Sequence, residues 1–281
     1  MLNKKKKQLN VVSQIRVGTS RATILRQRSL RSGAFSSPQS RPFSVKLYVA
    51  ETDEIYTVYD CYRELTMRNL KSRLELLVGI PVNFQRLQYL DEVDLTDCST
   101  FKNNDIIPGG TLTMRIWSQD AWGRLVATAA KGNNKKMHVV GATKTSMFST
   151  AHSELLGPAE KSDWLAHRTF VALFVTVRRG HVETVEFLLQ NGADLTRKTP
   201  LGRTALHVAV TSGQGDCIDV LLNYGARIND EDNDGCNAIH LARQWGQKES
   251  ERRLFRHQWK MRTGRHAQLS TKPKLDEKVE T

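Results

Sequence analysis

A period of 33 residues constrains the C-terminal half of the chain more than any other feature of the sequence. Glycines, a histidine, an alanine and a pair of large apolar residues all recur at this one offset. The matching sets are Gly180, Gly213 and Gly246; Gly192 and Gly225; Gly202 and Gly235; His207 and His240; Ala209 and Ala242; and Leu188-Leu189, Leu221-Leu222 and Leu254-Phe255. So many coincidences at one spacing indicate a stack of small structural repeats.

Each period combines small residues, paired leucines and glycines at fixed positions. Small residues such as Ala209 allow helices to approach closely, paired leucines supply a buried stripe, and the glycines permit positive φ. We expect the stack to span residues 162–256 in three units, 163–197, 198–230 and 231–256. The first and last units are irregular, which is expected because each end of a stack faces water.

The repeat resembles the ankyrin motif. Gly202-Arg203-Thr204-Ala205-Leu206-His207 is similar to its G-x-T-P-L-H start, with Ala205 in place of proline. Gly192-Ala193-Asp194 and Gly225-Ala226-Arg227 are similar to its end. The resemblance implies an all-α ankyrin-repeat solenoid that binds protein partners through its fingers and concave face. It also implies that His207 and His240 tie adjacent turns together by hydrogen bonds, a structural role rather than a catalytic one.

Charged residues at the expected fingertips are the first candidates for partner contacts. One tip is basic, and the next is acidic, so a partner with the opposite order of charges would be steered and registered by them. The candidates are Arg197, Lys198, Asp230, Glu231, Asp232 and Asp234. The run from Asp230 to Gly235 begins like a calcium loop, but position 12 is Leu241 rather than glutamate, which argues against calcium.

Trp245 is a further candidate, on the inner helix of the last unit. It holds the register of Ser212 and Arg179, positions that we expect to face solvent. A tryptophan there is either a hot-spot anchor for a partner or a cap packed on the C-terminal tail, and the sequence favours neither.

Residues 43–117 have a different pattern, typical of an α+β domain. Alternating Phe43, Val45, Leu47 and Val49 predict a strand with one buried face, and a second β-rich run follows at 55–59. Thr66 is placed as a helix N-cap, and Gly79 with Pro81 as the stop after an apolar stripe. Short strand candidates follow at 86–90, 93–95 and 111–117.

This segment resembles ubiquitin in the order and spacing of Gly79-Ile80-Pro81, Gln85-Arg86-Leu87 and Thr111-Leu112. The resemblance implies a ubiquitin-like β-grasp fold. Gln88 stands where ubiquitin has the isoleucine of its apolar docking patch, and Arg115 where it has a valine of the same patch. The strand runs on into Trp117-Ser118 without a Gly-Gly tail. Without that tail we expect the domain not to be conjugated. We also expect it not to bind receptors of the apolar patch, because burying Gln88 and Arg115 without partners would cost about 1–3 kcal/mol each.

The remaining segments are expected to carry little tertiary structure. Residues 1–42 are interpreted as a disordered basic tail, with a mitochondrial transit peptide or a nuclear or polyanion-binding patch at 4–7 as alternatives. Residues 118–161 are interpreted as a short helix, whose AAKG ending is similar to an ankyrin inner helix, and a linker. Residues 257–281 are interpreted as a basic C-terminal tail.

Charge and motif content narrow the function. The net charge is +13, but residues 1–50 hold 11 basic and no acidic side chains, so we expect nucleic acid to bind only non-specifically, through the tails. No membrane-spanning run, cofactor motif, metal cluster or catalytic constellation is found, and the four cysteines are interpreted as reduced thiols. The sequence thus predicts a non-enzymatic adaptor for protein partners, cytoplasmic or nuclear, with a ubiquitin–proteasome shuttle or ligase substrate adaptor as the alternative.

Overall fold

The computed structural model describes residues 41–270, and the side chains of residues 41–263. The expected basic N-terminal tail lies almost wholly outside the described residues, and so do residues 271–281 of the expected C-terminal tail.

The N-terminal domain is a mixed four-stranded sheet crossed by one helix. Its elements are β1 (Phe43–Val49), β2 (Glu54–Cys61), α1 (Met67–Val78), β3 (Gln85–Tyr89) and β4 (Thr111–Ile116). The strand order is β2-β1-β4-β3, with β1 and β4 parallel and the two outer pairs antiparallel. Val45, Leu47 and Val49 are buried as the alternation in β1 predicts.

Helix α1 begins and ends at the predicted residues. The Thr66 side chain accepts a hydrogen bond of 3.3 Å from the N–H of Asn69, which caps the first turn. Gly79 adopts φ +75° and its N–H donates to the carbonyl of Glu75 at 3.0 Å. The left-handed conformation suits glycine because other residues carry a Cβ that crowds the following carbonyl.

The C-terminal part of the chain is helical. Its helices are α2 (Trp122–Ala130), α3 (Asn134–Met137), α4 (Ala151–Glu154), α5 (Pro158–Arg179), α6 (Val182–Gln190), α7 (Ala205–Ser212), α8 (Gly215–Asn223), α9 (Ala238–Gln244) and α10 (Lys248–Ser270). Helices α5, α7 and α9 pack in series as an inner layer, and α6, α8 and α10 form the outer layer. The three predicted repeat units are therefore three stacked helical hairpins.

Residues 118–161 contain helix α2 where the sequence predicts a short helix, but the rest of the segment is not the predicted linker. Helix α2 packs against α5, and Leu125, Val126 and Ala129 are fully buried. Helix α3 contributes Met137, which is also fully buried. The buried side chains of this segment pack against the first hairpin. The segment therefore covers an apolar face that would otherwise be exposed at this end of the stack.

The backbone of α2 and α3 repeats the geometry of the three hairpins. Gly132 and Gly141 have φ of +61° and +77°, as Gly180 and Gly192 have +76° and +86° in the first unit. The N–H of Gly132 donates to the carbonyl three residues before it, and so does the N–H of Gly180. The segment is therefore a shortened hairpin of the same kind, stacked ahead of the first unit.

The expected C-terminal tail begins with helix rather than irregular chain. Helix α10 continues to Ser270, so residues 257–270 extend the outer helix of the third unit. Its Phe255 and Trp259 are 44% and 68% exposed, because no further hairpin covers them among the described residues.

Candidate interaction surfaces

The inner layer of the helical stack is covered by the N-terminal domain. Helix α1 packs against α7 and α5, and the side chains of both domains belong to one continuous hydrophobic core. The two domains are therefore not joined by a flexible connection, and α1 occupies part of the face that the sequence assigns to a partner.

Arg203 makes the central polar contact between the two domains. Its Nη1 donates to the carbonyl of Ser72 at 2.6 Å, and its Nη2 donates to the hydroxyl of the same serine at 3.2 Å. Arg203 is only 5% exposed, and the carboxylates of Glu75 and Asp232 lie 3.6 and 3.5 Å away. A guanidinium suits this position because its planar fork can donate in several directions at once.

Glu75 is fully buried where α1 meets the loop before α7. One carboxylate oxygen accepts from the hydroxyl of Thr199 at 2.8 Å, and the other accepts from the N–H of Val82 at 2.7 Å. Burial raises the pKa of the Glu75 carboxyl, although the hydrogen bonds from Thr199 and the charge of Arg203 oppose that effect. Both oxygens of this buried side chain therefore have a hydrogen-bond donor, as a buried polar group requires.

The C-terminal ends of α1 and α5 meet at a second contact. The Nε of Arg178 donates to the carbonyl of Leu77 at 2.6 Å, and Arg179 binds the carboxylate of Glu54 on β2. At Gly79 a Cβ would lie 2.4 Å from the Cβ of Arg178, so only glycine allows this approach. The arginines that end α5 are therefore domain contacts, and Arg179 does not face solvent as its register predicts.

Side-chain hydrogen bonds also link successive hairpins. The Nε2 of His181 lies 2.8 Å from the carbonyl of Ala130, and the amides of Gln214 and Gln247 donate to Arg178 and Thr211 at 3.3 and 3.1 Å. These contacts recur at one register in every hairpin, including the shortened one.

His207 ties adjacent turns as expected. Its Nδ1 accepts from the N–H of Thr204 at 3.0 Å, so its Nε2 carries the proton and donates to the carbonyl of Cys236 at 3.2 Å. Burial, the largest effect, lowers the pKa of His207 and keeps the ring neutral. His240 is exposed.

The basic fingertip is partly neutralised within the molecule. Arg197 forms two hydrogen bonds with the carboxylate of Asp163, at 2.9 and 3.1 Å. Lys198 is exposed and its Nζ donates to the carbonyl of Glu231 on the next finger at 2.8 Å. A partner would therefore meet Lys198 as the more available charge.

The acidic fingertip differs from the prediction at one residue. Asp232 is 6% exposed, because its carboxylate accepts from the N–H groups of Asp234 and Cys236 at 3.0 and 2.9 Å and faces Arg203. Proposing Asp232 as a partner contact was wrong, since it shapes the turn. Asp230 is half-buried, whereas Glu231 and Asp234 are exposed.

Trp245 lies directly after α9 and is half-buried. It packs against the hydrophobic core rather than standing free on the inner layer. A half-buried ring is compatible with both roles proposed from the sequence, the anchor for a partner and the cap.

Family models describe both parts of the chain. A model of ankyrin repeats matches three copies over residues 165–262, and a model of a ubiquitin-like domain matches residues 45–107. No curated protein matches the chain.

The chain therefore contains ankyrin repeats and a ubiquitin-like domain.

The ubiquitin-like domain has a polar surface where ubiquitin has its apolar patch. Gln88 is 6% exposed, and its amide donates to the carbonyl of Glu92 at 2.7 Å and to the carboxylate of Asp94 at 3.0 Å. Arg115 is exposed. The Gln88 amide is thus satisfied within the domain, and of the two predicted contact residues only Arg115 is open to a partner.

Arg168 is a buried residue that the sequence does not single out. Its guanidinium lies 4.7, 4.5 and 4.9 Å from the rings of Trp122, Phe148 and Trp164, and it donates to the carbonyls of Asp120 and Val140 at 2.6 Å each. Burial lowers its pKa to about 10, so it stays charged at neutral pH. It fixes residues 118–148 to α5.

Among residues 41–263 no group of three or more His, Cys, Asp or Glu side chains is arranged to hold a metal ion. Within the described helices, none has the length and apolar character needed to cross a membrane. All four cysteines are free thiols, of which Cys61 and Cys217 are buried.

Proposed function

We propose that this protein is a non-enzymatic adaptor that holds two protein partners at a fixed spacing, one on its ankyrin repeats and one on its ubiquitin-like domain. The observation that carries the proposal is the polar junction of Arg203, Glu75, Thr199 and Ser72, which fastens the two domains together. A rigid junction is of use to a protein that presents two surfaces, because it fixes their separation and orientation.

The ankyrin partner meets the fingertips and the third unit. Helix α1 already covers α5 and α7, so the first two units have little inner surface left. Lys198, Glu231 and Asp234 remain exposed on the fingers, and Trp245 lies half-buried after the C-terminal end of α9 in the third unit. Charges of both signs on neighbouring tips favour a partner of matching polarity and fix its register.

The ubiquitin-like domain serves as a docking module and not as a conjugated tag. Strand β4 leads directly into α2, which is buried in the ankyrin stack, so the end of this domain is not a free tail. Arg115 on β4 supplies a cation where receptors of ubiquitin require an apolar side chain. Such receptors would bury that charge at a cost, which favours a different class of partner.

Proximity labelling of the full chain in cells tests this proposal. Glu231→Lys should deplete one set of labelled proteins, and Arg115→Glu should deplete a different set. Glu183→Lys on α6 and Lys102→Glu in the ubiquitin-like domain reverse exposed charges elsewhere and serve as matched controls. Loss of the same proteins in both test variants, or loss of none, would contradict an adaptor with two separate surfaces.

A further inference from the structure

A cleft of about 460 Å³ lies where the ubiquitin-like domain joins the first helix of the stack. Strands β3 and β4 form one wall, and the start of α2 forms the other. The side chains that matter here are charged and come from separate parts of the chain. They are Glu51, Arg86, Arg115 and Arg124.

The cleft is cationic, and two of its three arginines are free. Arg115 and Arg124 are exposed, and no carboxylate lies within ion-pair distance of either among the described residues. Arg86 is held by Asp94 at 2.6 Å. Unpaired guanidinium groups that line one concave surface favour a ligand with carboxylates, because each can form a charge-assisted hydrogen bond.

Glu51 adds a negative charge to the cleft, which a purely anionic ligand does not complement. One of its carboxylate oxygens accepts from the N–H of Ile116 at 2.8 Å, and the other is buried with no partner. Glu51 thus places one negative charge among the arginines, and a peptide suits this mixed lining because it offers backbone N–H groups beside its acidic side chains. The negative charge of Glu51 also disfavours a continuous phosphate backbone.

Trp117 provides an apolar contact at the rim of the cleft. It is 43% exposed, and the guanidinium of Arg86 lies 5.3 Å from its ring. The arginine holds the ring in place and leaves part of its surface open to an apolar side chain.

We infer that this cleft binds an acidic peptide segment of a partner protein, with carboxylates at Arg115 and Arg124 and an apolar residue on Trp117. This inference rests on the proposed function, because it names the chemical class of the partner of the ubiquitin-like domain.

Fluorescence anisotropy of the full chain with a labelled glutamate-rich peptide that has a central leucine tests the inference. Arg115→Glu and Arg124→Glu should each weaken binding by about tenfold, the loss of one hydrogen bond to a charged group. Lys102→Glu changes the net charge equally outside the cleft and should have less than a twofold effect, roughly. Arg124→Gln repeats the test without charge reversal, and melting temperatures confirm that each variant is folded.

A photoreactive group at the leucine of the same peptide then locates the site, which matters because residues 1–50 are strongly basic. Attachment within residues 115–124 supports the inference. Attachment confined to residues 1–42, equal weakening in all the variants, or the absence of binding would overturn it. Tighter binding of a single-stranded RNA that is lost in the same arginine variants would also overturn it, in favour of nucleic acid. If Arg115→Glu still depletes a partner in cells while the peptide does not bind, the proposed function stands and this inference falls.

Discussion

The hydroxyl of Thr199 donates a hydrogen bond of 2.8 Å to the carboxylate of Glu75, although 124 residues separate the two along the chain. Glu75 is fully buried and Thr199 is 5% exposed. The pair joins helix α1 of the ubiquitin-like domain to the first finger of the ankyrin repeats. It shows that part of the inner face of the repeats is filled by the protein itself.

Glu75→Ala should destabilise the whole protein. The change leaves the Thr199 hydroxyl and the Val82 N–H without an acceptor in a buried site, and it removes one of the two buried carboxylates that face the Arg203 guanidinium. Removing one partner of a buried charge pair costs about 3 kcal/mol or more. Urea unfolding measures the loss, and Glu75→Gln is the control, because its amide oxygen keeps one acceptor and should cost clearly less. Equal stability of Glu75→Ala and the parent chain would contradict the assignment of this contact.

Comparing Gly79→Ala with Gly109→Ala should separate the cost of a steric clash from the cost of backbone strain. Gly79 and Gly109 have nearly the same φ, +75° and +77°, but only at Gly79 does a Cβ meet another side chain, that of Arg178. The left-handed conformation alone costs alanine about 1–2 kcal/mol. Gly109→Ala should therefore lose about that much in urea unfolding, and Gly79→Ala clearly more. Similar losses at the two glycines would show that the ends of α1 and α5 do not meet.

Acid should destabilise the protein through two histidines, the buried His207 and the half-buried His167. Burial lowers the pKa of both His207 and His167 in the folded chain. Between the folded pKa and the ordinary value of ~6.5 the unfolded chain therefore binds more protons, so stability falls as the pH falls through this window. Melting temperatures from about pH 7.5 to about pH 5.5 measure the slope, since this range spans the ordinary histidine pKa.

Replacing His207 by glutamine should flatten that slope, and His240→Gln, at the exposed equivalent position, should keep the slope of the parent chain. The slope is the readout because it does not depend on how much stability the substitution itself removes. An unchanged slope in His207→Gln would show that this ring does not titrate with folding.

Trp245→Ala should lower stability by about 2 kcal/mol, because a half-buried aromatic ring leaves the core. Trp259→Ala on α10 is the matched control, since Trp259 is 68% exposed. A Trp245 variant that unfolds at the urea concentration of the parent chain, yet binds the ankyrin partner more weakly, would favour the anchor role over the cap.

The repeats could be predicted because their signals are local. Glycines such as Gly180 and Gly213 adopt φ of +76° and +70°, a conformation that each turn requires and few other residues adopt. The caps of α1 at Thr66 and Gly79 are local in the same sense. At each of these positions, the backbone geometry within one or two turns of the chain determines which residue types fit.

The second half of the shortened hairpin could not be predicted, because its spacing breaks the period. Gly132 and Gly141 are nine residues apart, whereas Gly180 and Gly192 are twelve apart. Helix α3 has only four residues, too few to show an apolar stripe.

The junction between the domains could not be read from the sequence. The sequence does not distinguish a buried arginine such as Arg203 or Arg178 from an exposed one, because the partners of the buried side chain come from distant parts of the chain. The same is true of Asp232, whose place in an acidic run hides its role in the turn.

Nuclear magnetic relaxation of backbone ¹⁵N in the full chain measures whether the ubiquitin-like domain and the ankyrin repeats form one rigid body. We expect a single rotational correlation time for residues 43–117 and 162–256. Distinct correlation times, with the shorter one for the ubiquitin-like domain, would show that the domains tumble separately and that the junction of Arg203 and Glu75 does not hold them together.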